Sequence, residues 1–159
     1  MIGAGAGAFD SLRIEKGYRS WGADVHTEYN PYEAGLGWTV KLDKADAAGQ
    51  PIDFIGRNAC AIQKAEPLKR KLCCLKLDDP KAVLFGYEPI FEAGGRSAIG
   101  NVSSGNFGYS VGAFIAFGYL PAAQAALGTT VEIEYFGERF SAIVTDDPLF
   151  DAKMLRMKA

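Results

Sequence analysis

The stretch Leu12-Arg13-Ile14-Glu15-Lys16-Gly17-Tyr18-Arg19-Ser20-Trp21-Gly22-Ala23-Asp24 concentrates the side chains best suited to chemistry. It sets charged and aromatic residues into a helix end and its exit loop. Arg13 offers a planar fork of N–H donors that matches a carbonyl or carboxylate. Tyr18 and Trp21 offer flat apolar walls for an aromatic ring. A charged helix end is ordinarily a solvated face. Arg13 departs from that pattern because it lies between Leu12 and Ile14, in the only helix available to cover a strand expected around Trp38. Together these residues make a candidate ligand site.

Other features point to less. Gly3-Ala4-Gly5-Ala6-Gly7 has glycines at dinucleotide-like spacing, but that fingerprint needs a strand before it, and only two residues precede it. A small-residue helix entry is the better reading. The chain opens almost inside its first helix, so it reads as a portion of a longer protein. His26 is the single histidine; alone it makes neither a nucleophile–base pair nor a zinc site. No metal site and no catalytic residue are expected within the chain. The three cysteines do not form a disulfide framework. Cys73 and Cys74 are adjacent, so on a strand they face opposite sides. Free thiols fit a reducing compartment.

The elements that must position Arg13, Tyr18 and Trp38 follow from periodicity. Residues 9–16 form a helix stopped by Gly17. Residues 18–31 form a loop, with a turn at Asn30-Pro31. Residues 37–43 alternate strictly and predict a half-buried strand with Trp38, Val40 and Leu42 on one face. Residues 54–65 read as a short helix with Ile55, Ala59 and Ile62 inward. Pro67-Leu68-Lys69-Arg70-Lys71 marks a seam. Beyond it the period becomes two, over 72–77, 88–92, 97–103, 114–120, 130–136 and 140–145. Gly94-Gly95 and Gly137-Glu138 sit where hairpin turns need positive φ. The predicted class is α+β: a partial mixed α/β domain over 1–66, then a small antiparallel β-barrel or sandwich over 67–159. Val131, Ile133 and Tyr135 should share one face of their strand. With 159 residues, 48% hydrophobic and a net charge of −2, the chain has no electrostatic case for nucleic acid or an anionic membrane. It carries no cleavable signal peptide and no bilayer-length apolar run.

Several motifs in order resemble the aminomethyltransferase family, that of the glycine-cleavage T-protein. They are Leu12 to Arg19, Gly22-Ala23-Asp24, Pro31-Tyr32-Glu33-Ala34-Gly35-Leu36-Gly37-Trp38 and Asp53-Phe54-Ile55-Gly56-Arg57. Further on, Asn101-Val102-Ser103-Ser104-Gly105-Asn106-Phe107-Gly108-Tyr109-Ser110-Val111-Gly112 is similar to the family's "VTSGGYG…VG" run, with Ile115-Ala116-Phe117-Gly118-Tyr119-Leu120-Pro121 behind it. The "EKGYR", "EAGLG" and "KLDK" forms resemble relatives fused behind a flavin domain, the dimethylglycine and sarcosine dehydrogenases.

The resemblance implies that 1–66 is the C-terminal part of a folate-binding domain and 67–159 its C-terminal barrel. It implies tetrahydrofolate as cofactor, FAD in an upstream domain, and a small N-methyl amine-derived iminium as partner. It places the arginine matching Arg13 at the folate pocket, with Tyr18 and Trp38 as weaker candidates for its lining. The family's catalytic aspartate and its pterin-gripping glutamate, in a "YTGE…E" segment, lie upstream of the matched region. Asp10, Glu15 and Asp24 do not align with them. The fragment alone is therefore expected to be inactive. The implied location is the bacterial cytoplasm or the mitochondrial matrix. Two alternatives stand: a non-catalytic scaffold or regulatory subunit of the same architecture, and a free glycine-cleavage-type aminomethyltransferase.

Overall fold

The computed structural model describes residues 3–79 and 81–158. The first helix, α1, spans Ala6–Glu15. It ends where Gly17 turns to φ 74°. There Gly17 N–H donates to Ile14 O and Tyr18 N–H to Arg13 O, the paired bonds that close a helix through a left-handed residue. Glycine suits this turn for a second reason: a Cβ on it would lie 2.2 Å from Asp147 Oδ1.

Six strands follow: β1 (Arg70–Leu77), β2 (Pro89–Glu92), β3 (Ala98–Gly108), β4 (Ala113–Pro121), β5 (Thr130–Tyr135) and β6 (Glu138–Thr145). They close into a barrel in the order β1-β4-β3-β2-β5-β6. Every pairing is antiparallel. Strands β2, β3 and β4 form a meander, and β5 returns beside β2, which is a Greek-key connection. Closure leaves no free sheet edge. The six period-two runs of the sequence thus become the barrel's six staves.

Alternation sorts the side chains. Cys73, Leu75 and Leu77 of β1 fill the interior with Ile90, Val102, Phe114, Ala116, Leu120, Val131, Ile133, Ala142 and Val144. Leu72 and Cys74 point outward and pack with Ile115, Phe117, Tyr119 and Ile14 of α1. Cys73 and Cys74 therefore do face opposite sides, and all three cysteines are free thiols. Strand β4 is buried on both faces from Ala113 to Leu120, so its apolar run is unbroken. On β5, Val131 and Ile133 are buried and Tyr135 packs against the interior cluster, as the alternation requires.

Three expectations change. No strand forms at 37–43. Gly37–Thr39 is a short 3-10 turn, and Trp38 is 72% exposed. A strand needs a neighbour, and among the described residues of 1–66 only isolated bridges occur, Trp21 with Val25 and Ala45 with Pro51. Local bonds win instead: Val40 N–H donates to Gly37 O, and Thr39 Oγ1 donates to Leu36 O. The second helix, α2, spans Arg57–Ala65 and buries none of its residues, so Ile55, Ala59 and Ile62 do not turn inward. The β5–β6 turn centres on Phe136-Gly137, both at positive φ, one residue earlier than Gly137-Glu138. A last turn of helix, α3, spans Leu155–Lys158. Among the described residues no helix is long and apolar enough to cross a membrane.

A Cβ on Gly100 would fall 2.0 Å from the Tyr119 carbonyl oxygen, which is backbone and cannot swing aside. Gly100→Ala should therefore cost about 1–3 kcal/mol or more in urea unfolding; wild-type stability would contradict the β3–β4 register. Burial pushes the thiol of Cys73 up to about 11 and that of Cys74 up to about 12, from an ordinary 9.0. The folded state then holds protons that the unfolded chain releases above pH 9, so stability should fall as pH rises from 9 toward 12. Cys74→Ala should flatten that fall, and thiol labelling of the native protein at pH 8 should reach Cys60 well before Cys73 or Cys74. Prompt labelling of all three thiols would refute the burial argument.

Candidate functional site

The charged segment singled out by sequence wraps the outer face of the barrel, and α1 lies against β3. Ser11 Oγ donates to Phe107 O at 2.7 Å. Glu15 Oε1 accepts from the backbone N–H groups of Ser110 and Val111, in the β3–β4 turn. These bonds fix α1 in height and rotation, and so fix where Arg13 points.

Arg13 is 8% exposed and is held from two sides. Its Nε donates to Asp10 Oδ1 at 2.6 Å, one helical turn back. Its Nη1 donates to Asp24 Oδ2 at 2.5 Å and lies 3.3 Å from Tyr18 O. Asp10 is itself oriented by Asn106 Nδ2 of β3, at 3.0 Å. Asp24 is 0% exposed. It accepts at Oδ2 from Ser20 N–H as well, and at Oδ1 from the hydroxyls of Ser103 and Ser104 at 2.5 and 2.6 Å. Tyr119 donates its hydroxyl to the Asp24 carbonyl at 2.9 Å. The carboxylate thus has a donor for each direction it presents, which makes its burial tolerable.

Consecutive serines on a regular strand would face opposite sides. Here the β3–β4 register slips between Val102 and Ser104, so Ser103 is an extra residue. Val102 points into the barrel while Ser103 and Ser104 both reach Asp24. The bulge is what lets one strand supply two donors to one oxygen.

A second ion pair fastens the exit loop. Arg19 Nη1 lies 2.6 Å from Asp147 Oδ2, and its guanidinium sits over the Phe117 ring at 5.3 Å. Burial raises the Asp147 carboxyl above the usual carboxylate range, against the pull of Arg19. A third fastening joins Arg70 to Glu33 at 3.1 Å, with Arg70 over a Tyr29 ring that stacks on Tyr119.

Besides a hollow of about 390 Å³ between Phe9, Leu12, Arg13, Tyr18, Phe150 and Arg156, two more flank this framework. One, of about 460 Å³, is lined by Tyr18, Trp21, Trp38, Leu36, Lys16 and Pro148 among others. The other, of about 470 Å³, is lined by Arg13, Phe9, Asp10, Tyr18, Arg19 and neighbouring residues. Tyr18 borders both. The structure therefore brings Tyr18 and Trp38 to one hollow, with Trp21, and Arg13 and Tyr18 to the other. Trp38 gets there from a 3-10 turn rather than a strand, and Gly37 is required beside it because a Cβ would press 2.6 Å from the Tyr32 ring. Asp24, Ser103, Ser104 and Asp147 belong to the site's framework although residue type alone did not single them out. Among the described residues no group of His, Cys, Asp and Glu is placed to hold a metal ion.

Comparison with known proteins accords with this architecture. Residues 70–151 match the family description "Glycine cleavage T-protein C-terminal barrel domain", and residues 1–44 match "GCVT N-terminal domain". The chain is 39% identical to the human protein named dimethylglycine dehydrogenase, mitochondrial, over 91% of this chain and 16% of that protein. It is 42% identical to human sarcosine dehydrogenase, mitochondrial, over 76% of this chain and 12% of that protein. The crystal structure of glycine cleavage system aminomethyltransferase T from Bartonella henselae superposes with a TM-score of 0.78 at 30% identity, covering 91% of this chain and 38% of that one. The chain thus spans well under half the length of these relatives. With a barrel and a preceding segment that both match, the chain belongs to the glycine cleavage T-protein family.

Proposed function

We propose that this chain is part of a tetrahydrofolate-dependent one-carbon transfer module, belonging to an FAD-dependent N-methylglycine dehydrogenase-like protein. The observation that carries the reading is Arg13. Two carboxylates grip its Nε and Nη1, so the guanidinium is set in one orientation at the wall of a hollow that it shares with Tyr18. An arginine so fixed presents donors to a polar ring edge without losing rotamer freedom on binding. Tyr18, Trp21 and Trp38 give the neighbouring hollow aromatic walls suited to a flat ring. The names of the relatives, two of them dehydrogenases of N-methylated glycines, supply the reaction class.

In this reading tetrahydrofolate supplies the nitrogens that take up the one-carbon unit from an iminium. The chain's residues bind and orient; they do not move the proton. Asp24 and Glu15 are buried and spent on internal donors, and Asp10 is tied to Arg13 and Asn106. A general acid or base must reach the reacting proton, and none of these is free to do so. The catalytic carboxylate and the FAD then come from sequence outside this chain, and the chain by itself should lack dehydrogenase activity. The bacterial cytoplasm or the mitochondrial matrix is the proposed location; the word mitochondrial in the relatives' names supports the latter.

One observation favours a second reading. Arg13 already spends three N–H groups, on Nε and Nη1, on protein acceptors, as a purely structural arginine in a scaffold subunit would. A free glycine-cleavage-type aminomethyltransferase, the third reading, draws on the Bartonella henselae superposition. The discriminating experiment is Arg13→Lys in the full-length protein, titrated with tetrahydrofolate under conditions where both forms are folded. Lysine keeps the charge and loses the planar fork. Tetrahydrofolate binding should weaken by roughly 1.5–3 kcal/mol, while amine oxidation continues and free formaldehyde replaces methylene-tetrahydrofolate among the products. Unchanged binding with only a lower Tm would point to the scaffold. A full-length protein that binds tetrahydrofolate yet holds no flavin would point to the free transferase.

A further inference from the structure

We propose that Asp24, together with the bulge serines Ser103 and Ser104, sets the position of Arg13 for ligand binding, so that the barrel takes part in recognition without touching the ligand. The inference rests on the reading of Arg13 as a ligand-binding residue. Its grounds are geometric. Of the two carboxylates on Arg13, Asp10 sits on the same helix and is 41% exposed, whereas Asp24 is fully buried. Asp10 moves with α1 and has one contact to β3, from Asn106, whereas Asp24 sits on a separate loop and is held by two β3 serines and by Ser20 N–H. Ser103 Oγ and Ser104 Oγ fix Oδ1, Ser20 N–H fixes Oδ2 beside Arg13 Nη1, and Tyr119 holds the Asp24 backbone.

The chain of contacts runs from β3 through one carboxylate to the guanidinium, each link 2.5 or 2.6 Å long. Asp24 acts through Arg13 and is a positioning residue. The bulge matters because a regular strand would turn one serine away and leave Oδ1 with a single donor. An internal ion pair with every lone pair engaged has one arrangement, and a guanidinium held that way keeps its remaining N–H groups aimed at a fixed point. A loosened Asp24 would let Arg13 swing toward Asp10 and the solvent.

The test is a double-mutant cycle in the full-length protein, with tetrahydrofolate as the probe, at a temperature where near-ultraviolet circular dichroism shows every variant folded. The variants are Arg13→Lys, Asp24→Asn, their combination, and the pair Ser103→Ala with Ser104→Ala. Asp24→Asn should raise Kd about tenfold although Arg13 is intact. The combination should be no worse than Arg13→Lys alone, within about twofold, because both changes disable one device. The serine pair, which keeps both charges, should raise Kd about threefold. If Asp24→Asn does not fold, the serine pair decides. Wild-type Kd in Asp24→Asn and in the serine pair, with Kd raised in Arg13→Lys, would overturn the positioning role and leave the ligand role of Arg13 standing. Losses that simply add in the combination would overturn it too. A wild-type Kd in Arg13→Lys would remove the reading beneath both.

Discussion

The structure turns on the ion pair between Arg13 and Asp24, which is buried on both sides at 8% and 0% exposure. Removing two charges from water is costly, and the attraction between them offsets that cost only when the remaining donors and acceptors are met. Here they are met by groups from three places: the helix that carries Arg13, the loop that carries Asp24, and β3 of the barrel. None of these satisfies the pair alone. Breaking such a pair by removing one partner costs about 3–5 kcal/mol, a large share of the stability of an ordinary domain. The segment before the barrel and the barrel itself are thereby held as one body around the charge.

The apolar packing explains why the pair sits where it does. Strand β4 is buried on both faces, inward by the barrel core and outward by Ile14 and its neighbours. A barrel stave with an apolar outer face must be covered, and α1 with its exit loop is the cover. Glu15 on the β3–β4 turn, Arg19 on Asp147 and Arg70 on Glu33 pin that cover around its rim. The aromatic hollows then lie along the outside of the cover, where Tyr18, Trp21 and Trp38 are exposed. The side chains proposed for recognition include ones that hold the cover in place, which is why Arg13 has both a proposed binding role and a structural one.

Much of this was legible in the residues. The change to period two after Arg70 marks the barrel, since strict alternation over six short runs has few other outcomes. The Gly17 stop is legible because a helix end needs a left-handed residue there. Arg13 between two apolar residues was legible as an unusual arginine. What alternation could not reveal is whether a run has a partner. Residues 37–43 alternate as well as β5 does, yet nothing pairs with them, so the backbone bonds locally and Trp38 reaches its hollow from a turn. The amphipathic look of Ile55 and Ile62 failed in the same way, for among the described residues none packs closely enough on α2 to bury any of its side chains. Asp24, Ser103 and Ser104 were invisible as a set because their meeting depends on a one-residue bulge eighty positions away from the loop that uses it.

Hydrogen exchange at single amides tests most directly whether segment and barrel are one body around Arg13 and Asp24. The amide of Ser20, which donates to Asp24 Oδ2, and that of Leu72, which donates to Glu33 O, lie on the two sides of the seam. If the ion pair binds the two together, the Ser20 and Asp24 amides should exchange as slowly as those of Leu75 and Ala116 at the centre of β1 and β4, and share their dependence on denaturant. Exchange at Ser20 and Asp24 orders of magnitude faster than in the barrel, and insensitive to denaturant, would mean that the segment opens on its own and that the buried pair does not hold the structure together.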